Sequence, residues 1–261
     1  MYYSLINSMN KTVAPGYTAR TTAFATATGI TDTTILGALN TWDLYAISKG
    51  LDSVYKQVFF LASGTSANSV LNFYNSATLQ GTVYGGITFT SSGSKANGSN
   101  GYINSNFNPS TQLASQNSGH FSFYSNQDPL TNQASTHGGF DGTNRYHYYE
   151  VSTTIYNALN SNSLLSISPL FNRLGSFLTN RNNSANFTVS KGSDVRTITN
   201  TSTSSVNSNL GIFGLLSGST QIGSISDLRL TFWTTGSGMT SQQELDHHTG
   251  VTNLMTTLGI S

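Results

Sequence analysis

From Tyr84 onward, apolar and polar residues alternate with a period of two, in short runs that recur roughly every ten residues. A strand sends successive side chains to opposite faces, so this pattern calls for half-buried β-strands and excludes a helical bundle for most of the chain. Residues 120–125 set Phe121 and Phe123 against Ser122 and Tyr124, and residues 145–151 read RYHYYEV, dense in strand-favouring aromatics. Residues 187–189 and 195–198 flank Lys191-Gly192-Ser193-Asp194, a hairpin signal. Further on, Leu228, Leu230 and Phe232 share one face of a predicted strand, with Arg229, Thr231 and Trp233 on the other. The Ser/Asn-rich tracts 91–100 and 199–209 read as loops or hairpin turns, since aromatics follow each closely. The predicted fold class is all-β, an antiparallel β-sandwich.

Both ends depart from this period. Thr31 is the expected N-cap of a helix, with the charge of Asp32 suiting its positive end, Ile35, Leu36, Leu39, Leu44 and Ile47 fall near helical spacing, and Gly50-Leu51 suits its end. Asn40, Thr41 and Trp42 are expected to break this stretch into two short helices, and residues 11–27 to be extended and irregular. At the other end, Thr240 and Gln243 form a capping-box pattern, followed by a stripe of Leu245, His248, Leu254, Met255 and Leu258. The expected organisation is a partly helical arm over residues 1–75, then a sandwich over residues 76–261 that closes with a C-terminal helix.

Composition narrows the chemistry. Only 8% of the 261 residues are charged, against about 25% in an average domain, and the formal net charge is +1. Ser, Thr and Asn make up about two residues in five, while 13 Tyr and 14 Phe set the chain apart from a disordered polar tract. No basic patch offers itself to nucleic acid, and no apolar run is long enough for a membrane helix. With no cysteine, disulfides, zinc–thiolate sites and a thiol nucleophile are excluded. Residues 1–12 lack a basic region followed by an apolar run, so no secretory signal is expected.

Several short motifs carry a resemblance: Ala27-Thr28-Gly29-Ile30-Thr31-Asp32, ILGALN at 35–40, Lys49-Gly50-Leu51, Gly85-Gly86-Ile87-Thr88, Asn97-Gly98-Ser99-Asn100-Gly101-Tyr102, Asn108-Pro109-Ser110-Thr111 and Thr256-Thr257-Leu258-Gly259. In order and approximate spacing they resemble structural proteins of tailed phages that carry a concanavalin A-like (laminin G-like) jelly roll. The chain departs from that pattern at residues 52–75. There the family often has Trp-Ser-Lys and Tyr-Pro before Gly-Gly-Thr-Ala, and this chain reads DSVYKQVFFLASGTSA from residue 52. The resemblance implies a virion protein, a tail fibre or a capsid decoration, assembled in the host cytoplasm. It also implies other virion proteins as partners of the arm and, by analogy with phage fibres, a homo-oligomer such as a trimer.

Candidate chemistry is sparse. Glu244, Asp246, His247 and His248 crowd together, and Glu244 and His248 have a ligand-capable i, i+4 spacing, but a solvated face of the C-terminal helix is the expected reading. Glycoside hydrolysis needs two carboxylates, and Glu150 stands alone among aromatics. No glycine pattern for a nucleotide or dinucleotide follows a strand, no nucleophile elbow appears in a strand–turn–helix setting, and the chain is expected not to be an enzyme. The segment that invites a ligand runs from Gly138 to Tyr146, and a sugar site would span Asp141 to Tyr149. Asp141 and Asn144 at its tip can hold Ca²⁺ through side-chain oxygens, and Arg145, Tyr146, Tyr148 and Tyr149 offer flat faces and donors to a sugar. Trp233 is a further stacking candidate. Against this stands a plain Asp-Gly turn with tyrosines filling a sheet. The functional alternatives are a virion surface protein touching host glycans, a free carbohydrate-binding module, and a polysaccharide hydrolase.

Overall fold

The computed structural model describes residues 16–127, 135–151, 154–167, 174–223 and 225–260. Strands and helices are numbered along the chain. One sheet holds β1 (Tyr55–Phe60), β3 (Ile87–Thr90), β4 (Gly93–Ala96), β6 (Gly119–Gln127), β11 (Gly175–Arg181), β12 (Asn186–Lys191), β13 (Asp194–Thr199) and β17 (Arg229–Gly236). The other holds β2 (Thr82–Tyr84), β5 (Tyr102–Asn104), β7 (Ser135–Phe140), β8 (Arg145–Val151), β9 (Thr154–Ser161), β10 (Leu165–Ile167), β14 (Gly211–Ile212), β15 (Leu215–Ser217) and β16 (Thr220–Gln221). Strand order is β13-β12-β11-β6-β17-β4-β3 in the first sheet and β10-β9-β8-β7-β14-β5-β2 in the second. The pairing is antiparallel apart from a short parallel contact of β15 with β7. The second half of β17 pairs with β1, on the edge where its first half pairs with β4.

The expected sandwich is present: Phe121, Phe123, Tyr146, Tyr148, Ile155, Phe177 and Trp233 fill the space between the sheets. A second apolar layer lies on the opposite face of the first sheet. There Tyr124, Leu178 and Phe232 pack against Phe24, Trp42, Val251 and Met255 of three helices, α1 (Ala19–Thr28), α2 (Thr33–Ser48) and α5 (Ser241–Thr257). Two shorter helices, α3 (Ser66–Ser69) and α4 (Pro109–Gln112), sit in connections. No helix among the described residues is long and apolar enough to cross a membrane.

Several local expectations change here. The described part of the segment expected to be irregular forms α1, capped by Thr18 through Thr21 N–H. Its anchor is Phe24, fully buried, with its ring 5.3 Å from that of Phe73. α2 runs unbroken through Asn40-Thr41-Trp42, and its N-cap is not Thr31 but Asp32, which accepts from the N–H groups of Thr34 and Ile35. Leu44 and Ile47 are exposed, and α2 buries Leu36, Leu39, Trp42 and Ala46 instead. Residues 19–75 pack on the sheet and contribute β1 to it, so no separation at residue 75 is visible in the packing. In β17, Leu230 and Phe232 face opposite layers, because a bulge at Thr231 sets two residues against one between the pairs Leu230–Ser125 and Phe232–Tyr124.

The capping box at Thr240 and Gln243 and the hairpin at Lys191–Asp194 form as predicted. The Gly85-Gly86 and Asn97–Gly101 motifs form the two crossings between sheets, from β2 to β3 and from β4 to β5. Gly85 has φ of 61°, and a Cβ there would lie 2.0 Å from the Asn100 carbonyl oxygen. Asn97 Oδ1 accepts from the N–H groups of Ser99, Asn100 and Gly101, and Gly86 donates to Asn100 Oδ1. Glycine is required because the two crossings lie backbone against backbone.

Candidate functional site

The hairpin β7–β8 turns through residues 141–144, where sequence reasoning set a ligand site against a turn. Asp141 Oδ1 accepts from Thr143 N (3.0 Å) and Asn144 N (2.7 Å), and Oδ2 accepts from Asn207 N (3.0 Å). Burial pushes the Asp141 carboxyl up, but the N–H groups of Asn144, Asn207 and Thr143 outweigh it and hold the group below its ordinary value. Asn144 Oδ1 accepts from Thr203 Oγ1 at 2.5 Å. The oxygens needed for Ca²⁺ are therefore turned toward chain donors, and the tip is an Asx-type turn docked on the 199–209 tract. Among the described residues, no three His, Asp or Glu side chains gather to hold a metal ion.

The alternation along β8 divides the sugar-contact candidates. Tyr146 and Trp233 are fully buried and Tyr148 is 2% exposed, all three in the core between the sheets. Tyr148 donates from Oη to Glu150 Oε2 at 3.0 Å, inside the same core. These rings, expected to stack on a sugar, are closed off from solvent. The intervening residues point the other way: Arg145, His147 and Tyr149, with Phe140 paired to Arg145 and Tyr156 paired to Tyr149.

This outward face is the candidate site. The Tyr149 and Tyr156 rings are half-buried neighbours with centroids 5.8 Å apart. The Arg145 guanidinium lies 4.1 Å over the Phe140 ring. His147 sits between them, its ring 6.0 Å from Tyr149, buried, with neither ring nitrogen hydrogen-bonded. Burial, then the charge of Arg145, pushes His147 down to about 3, so it is neutral at pH 7. From Arg145 to Tyr149 the strand advances about 13 Å. The result is a stripe with a cation at one end and two phenol rings at the other, on the sheet face away from the helices. Sequence reasoning named Arg145 and Tyr149, included Phe140 in its segment without a role, and missed His147 and Tyr156. The period of two in RYHYYEV carried the signal, since it separates Tyr146 and Tyr148 from Tyr149. Near the docked turn lies a second surface, an open dish of about 480 Å³ lined by Ser110, Gln116, Asn117, Ser204 and Ser205.

The C-terminal cluster is not a solvated helix face. Glu244, His247 and His248 are buried against the sheet, because α5 docks with that side down, and Asp246 is buried beside Tyr45 and Lys49 at the α2 contact. Glu244 Oε1 accepts from Asn180 Nδ2 (2.6 Å) and Thr188 Oγ1 (2.8 Å), whereas His248 lies between Ser176 and Ser190, each 2.8 Å away. Glu244 and His248 share a helix but not a ligand.

A two-layer antiparallel sandwich with helices on one sheet and an aromatic stripe on the other defines the class. No family model and no curated protein matches the chain. Solved structures do share its fold. It is similar to the sialidase of Trypanosoma rangeli in complex with sialic acid, at 13% identity and a TM-score of 0.55, over 76% of this chain and 33% of that one. Domain 4 of the arabinanase AbnA from Geobacillus stearothermophilus, in complex with arabinotriose, aligns at 9% identity and a TM-score of 0.53, over 74% of this chain and 97% of that domain. The botulinum neurotoxin serotype D binding domain aligns at 11% identity and a TM-score of 0.50, over 75% and 50%. The chain thus spans a third of the sialidase and half of the toxin domain.

Proposed function

We propose that this chain is a non-enzymatic glycan-binding module whose contact surface is the outward stripe of Arg145, Tyr149 and Tyr156. The observation that carries the reading is the Tyr149–Tyr156 pair, two half-buried rings side by side on a sheet face that the helices leave free. Phenol rings give a sugar a flat apolar face and a polar tip, and Arg145 adds donors at the far end. Support also comes from the company of the fold, since the sialidase and arabinanase structures hold sialic acid and arabinotriose. The carboxylates support a binding role over hydrolysis. Asp32 caps a helix, Asp43 pairs with Arg20, Glu150 accepts from Tyr148 in the core, and Glu244 is held by Asn180 and Thr188.

The setting we propose is a phage particle surface, on the strength of the sequence resemblance, with the sandwich displayed in several copies so that weak sites add up. The strands pass repeatedly between sheets, as from β2 to β3 and from β4 to β5, which supports a concanavalin A-like jelly-roll reading of the connectivity.

A glycan array probed with the folded chain tests the contact surface. Binding is expected, with Tyr149→Ala and Tyr156→Ala each weakening it about tenfold, near 1.4 kcal/mol. Gln116→Ala in the polar dish is expected to leave it unchanged. A blank array with folded protein sinks the module reading, and loss confined to Gln116→Ala moves the site to the dish. Mass spectrometry of purified particles should find peptides of this chain, and their absence removes the virion setting.

A further inference from the structure

All five histidines of the chain are buried. Three of them lie where the helical layer meets the first sheet: His247 and His248 on α5, and His120 on β6. Tyr55 of β1 links them, its ring 5.8 Å from that of His247 and 5.7 Å from that of His120, while the His247 and His248 rings are 5.6 Å apart.

Their hydrogen bonds differ in a way that matters for a second proton. His120 places Nδ1 2.6 Å from the Ser237 carbonyl, so that nitrogen carries its proton, and Nε2 faces Thr234 Oγ1 at 3.3 Å. His248 has a serine hydroxyl at each nitrogen, either of which can accept from an imidazolium. His247 has Tyr55 Oη at 2.6 Å from Nδ1 and nothing at Nε2, which is buried without a partner. A protonated His247 would hold a buried donor with no acceptor, on a charged ring.

Among the described residues, no carboxylate hydrogen-bonds to the rings of this cluster. On α5, Asp246 faces Tyr45 and Lys49, and Glu244 faces Asn180 of β11 and Thr188 of β12. On α2, Asp43 pairs with Arg20 of α1, whose guanidinium lies over Tyr74. Tyr74 and Tyr45 are the other titratable groups acting on Tyr55, and Lys191 on β12 lies over the Phe177 ring. Among the described residues, the hydrogen-bond partners of the three rings are hydroxyls and one backbone carbonyl.

We propose that the helical layer is an acid-released cap: protonation of His247, with His120 and His248, separates α1, α2 and α5 from the sheet while the core between the sheets stays closed. Burial holds His120 and His248 down at about 4. It holds His247 well below its ordinary value, with the neighbouring His248 and His120 adding to the effect. The released state takes up protons near pH 6.5 and the closed state does not. Stability from the neutral rings is therefore complete above pH 6.5 and falls as the pH drops toward 4. Each proton changes the open-to-closed ratio about tenfold per pH unit, so the three together give a steep transition.

The chain carries its own reporters. Its two tryptophans divide between the layers, Trp42 under the helices and Trp233 between the sheets. In Trp233→Phe, fluorescence follows the cap, and in Trp42→Phe it follows the sandwich core. On acidification the Trp42 signal is expected to change at a higher pH than the Trp233 signal, because three buried imidazoles lie under the helices and His137 lies in the core beside Trp233. Adding His247→Phe or His247→Gln to Trp233→Phe should move the Trp42 transition about half a unit lower and make it less steep. Coincident transitions, or a Trp42 midpoint that ignores His247, overturn the proposal. Hydrogen exchange on the unaltered chain, corrected for intrinsic rates, gives a check free of substitutions. Peptides of α5 should lose protection at a pH where β8 keeps it, and simultaneous loss refutes the cap.

Discussion

Truncating Trp42 to alanine removes the ring that joins the helices to the sheet. The side chain is 2% exposed and sits among Phe232 at 5.1 Å, Phe73 at 5.6 Å, Tyr55 at 5.9 Å and Tyr74 at 6.2 Å between ring centroids. A buried indole hides about 150–250 Å² of surface, which at about 25 cal/mol per Å² is worth about 4–6 kcal/mol. The unfolded chain already hides part of that area, which lowers the figure to about 3–5 kcal/mol. One term works the other way. Trp42 Nε1 is buried without a hydrogen-bond partner, a penalty of about 1–3 kcal/mol that the truncation removes. The expected loss for Trp42→Ala is therefore about 2 kcal/mol. Trp42→Phe keeps most ring contacts and deletes the orphan donor, so it should lie within about 1 kcal/mol of the parent. Urea unfolding at pH 7, followed by circular dichroism with the slope held common, measures both. At a slope of about 2 kcal/mol per M, the alanine variant should unfold at a midpoint about 1 M lower. A loss below about 1 kcal/mol would show that residues 16–75 are an arm with its own stability, contrary to the shared apolar layer.

Two further outcomes follow from local geometry. Gly85→Ala forces a Cβ to within 2.0 Å of the Asn100 carbonyl oxygen at φ of 61°, and should lower the unfolding free energy by at least about 2 kcal/mol in the same urea assay. Burial raises the Glu244 carboxyl above its ordinary value, although Thr188 and Asn180 oppose the shift. The protonated form is therefore favoured in the fold, and its contribution is full below about pH 4.5 and lost as pH rises through the raised value. Glu244→Gln, which cannot ionise, should melt above the parent at pH 7, with the gap narrowing toward pH 5 in calorimetry; a constant gap would rule out titration as its cause.

Much of this molecule is legible along the chain. The runs around Phe121, in RYHYYEV and in residues 187–198 became β6, β8 and the β12–β13 hairpin, and Thr240 with Gln243 capped α5. Strand period, turn chemistry and caps are set within a few residues of backbone, so a local pattern carries them. α1 escaped notice because ARTTAFATAT is rich in threonine and has one large apolar anchor, Phe24, whose partner Phe73 lies far along the chain. The candidate site was half legible, since period two separates the RYHYYEV rings into two sets without saying which set faces solvent.

That choice belongs to the tertiary structure. Helices docked on the first sheet bury both of its faces, so Ser122, Thr234 and His120 are as hidden as Phe121. The same docking turned Glu244, Asp246, His247 and His248 inward, where a chain this short of charge had every reason to keep them wet. The bulge at Thr231 moved Phe232 to the helical layer while Trp233 stayed between the sheets. Alternation states that neighbouring side chains part company; which side becomes interior depends on segments that meet only after the chain has folded, and no local sequence encodes that meeting.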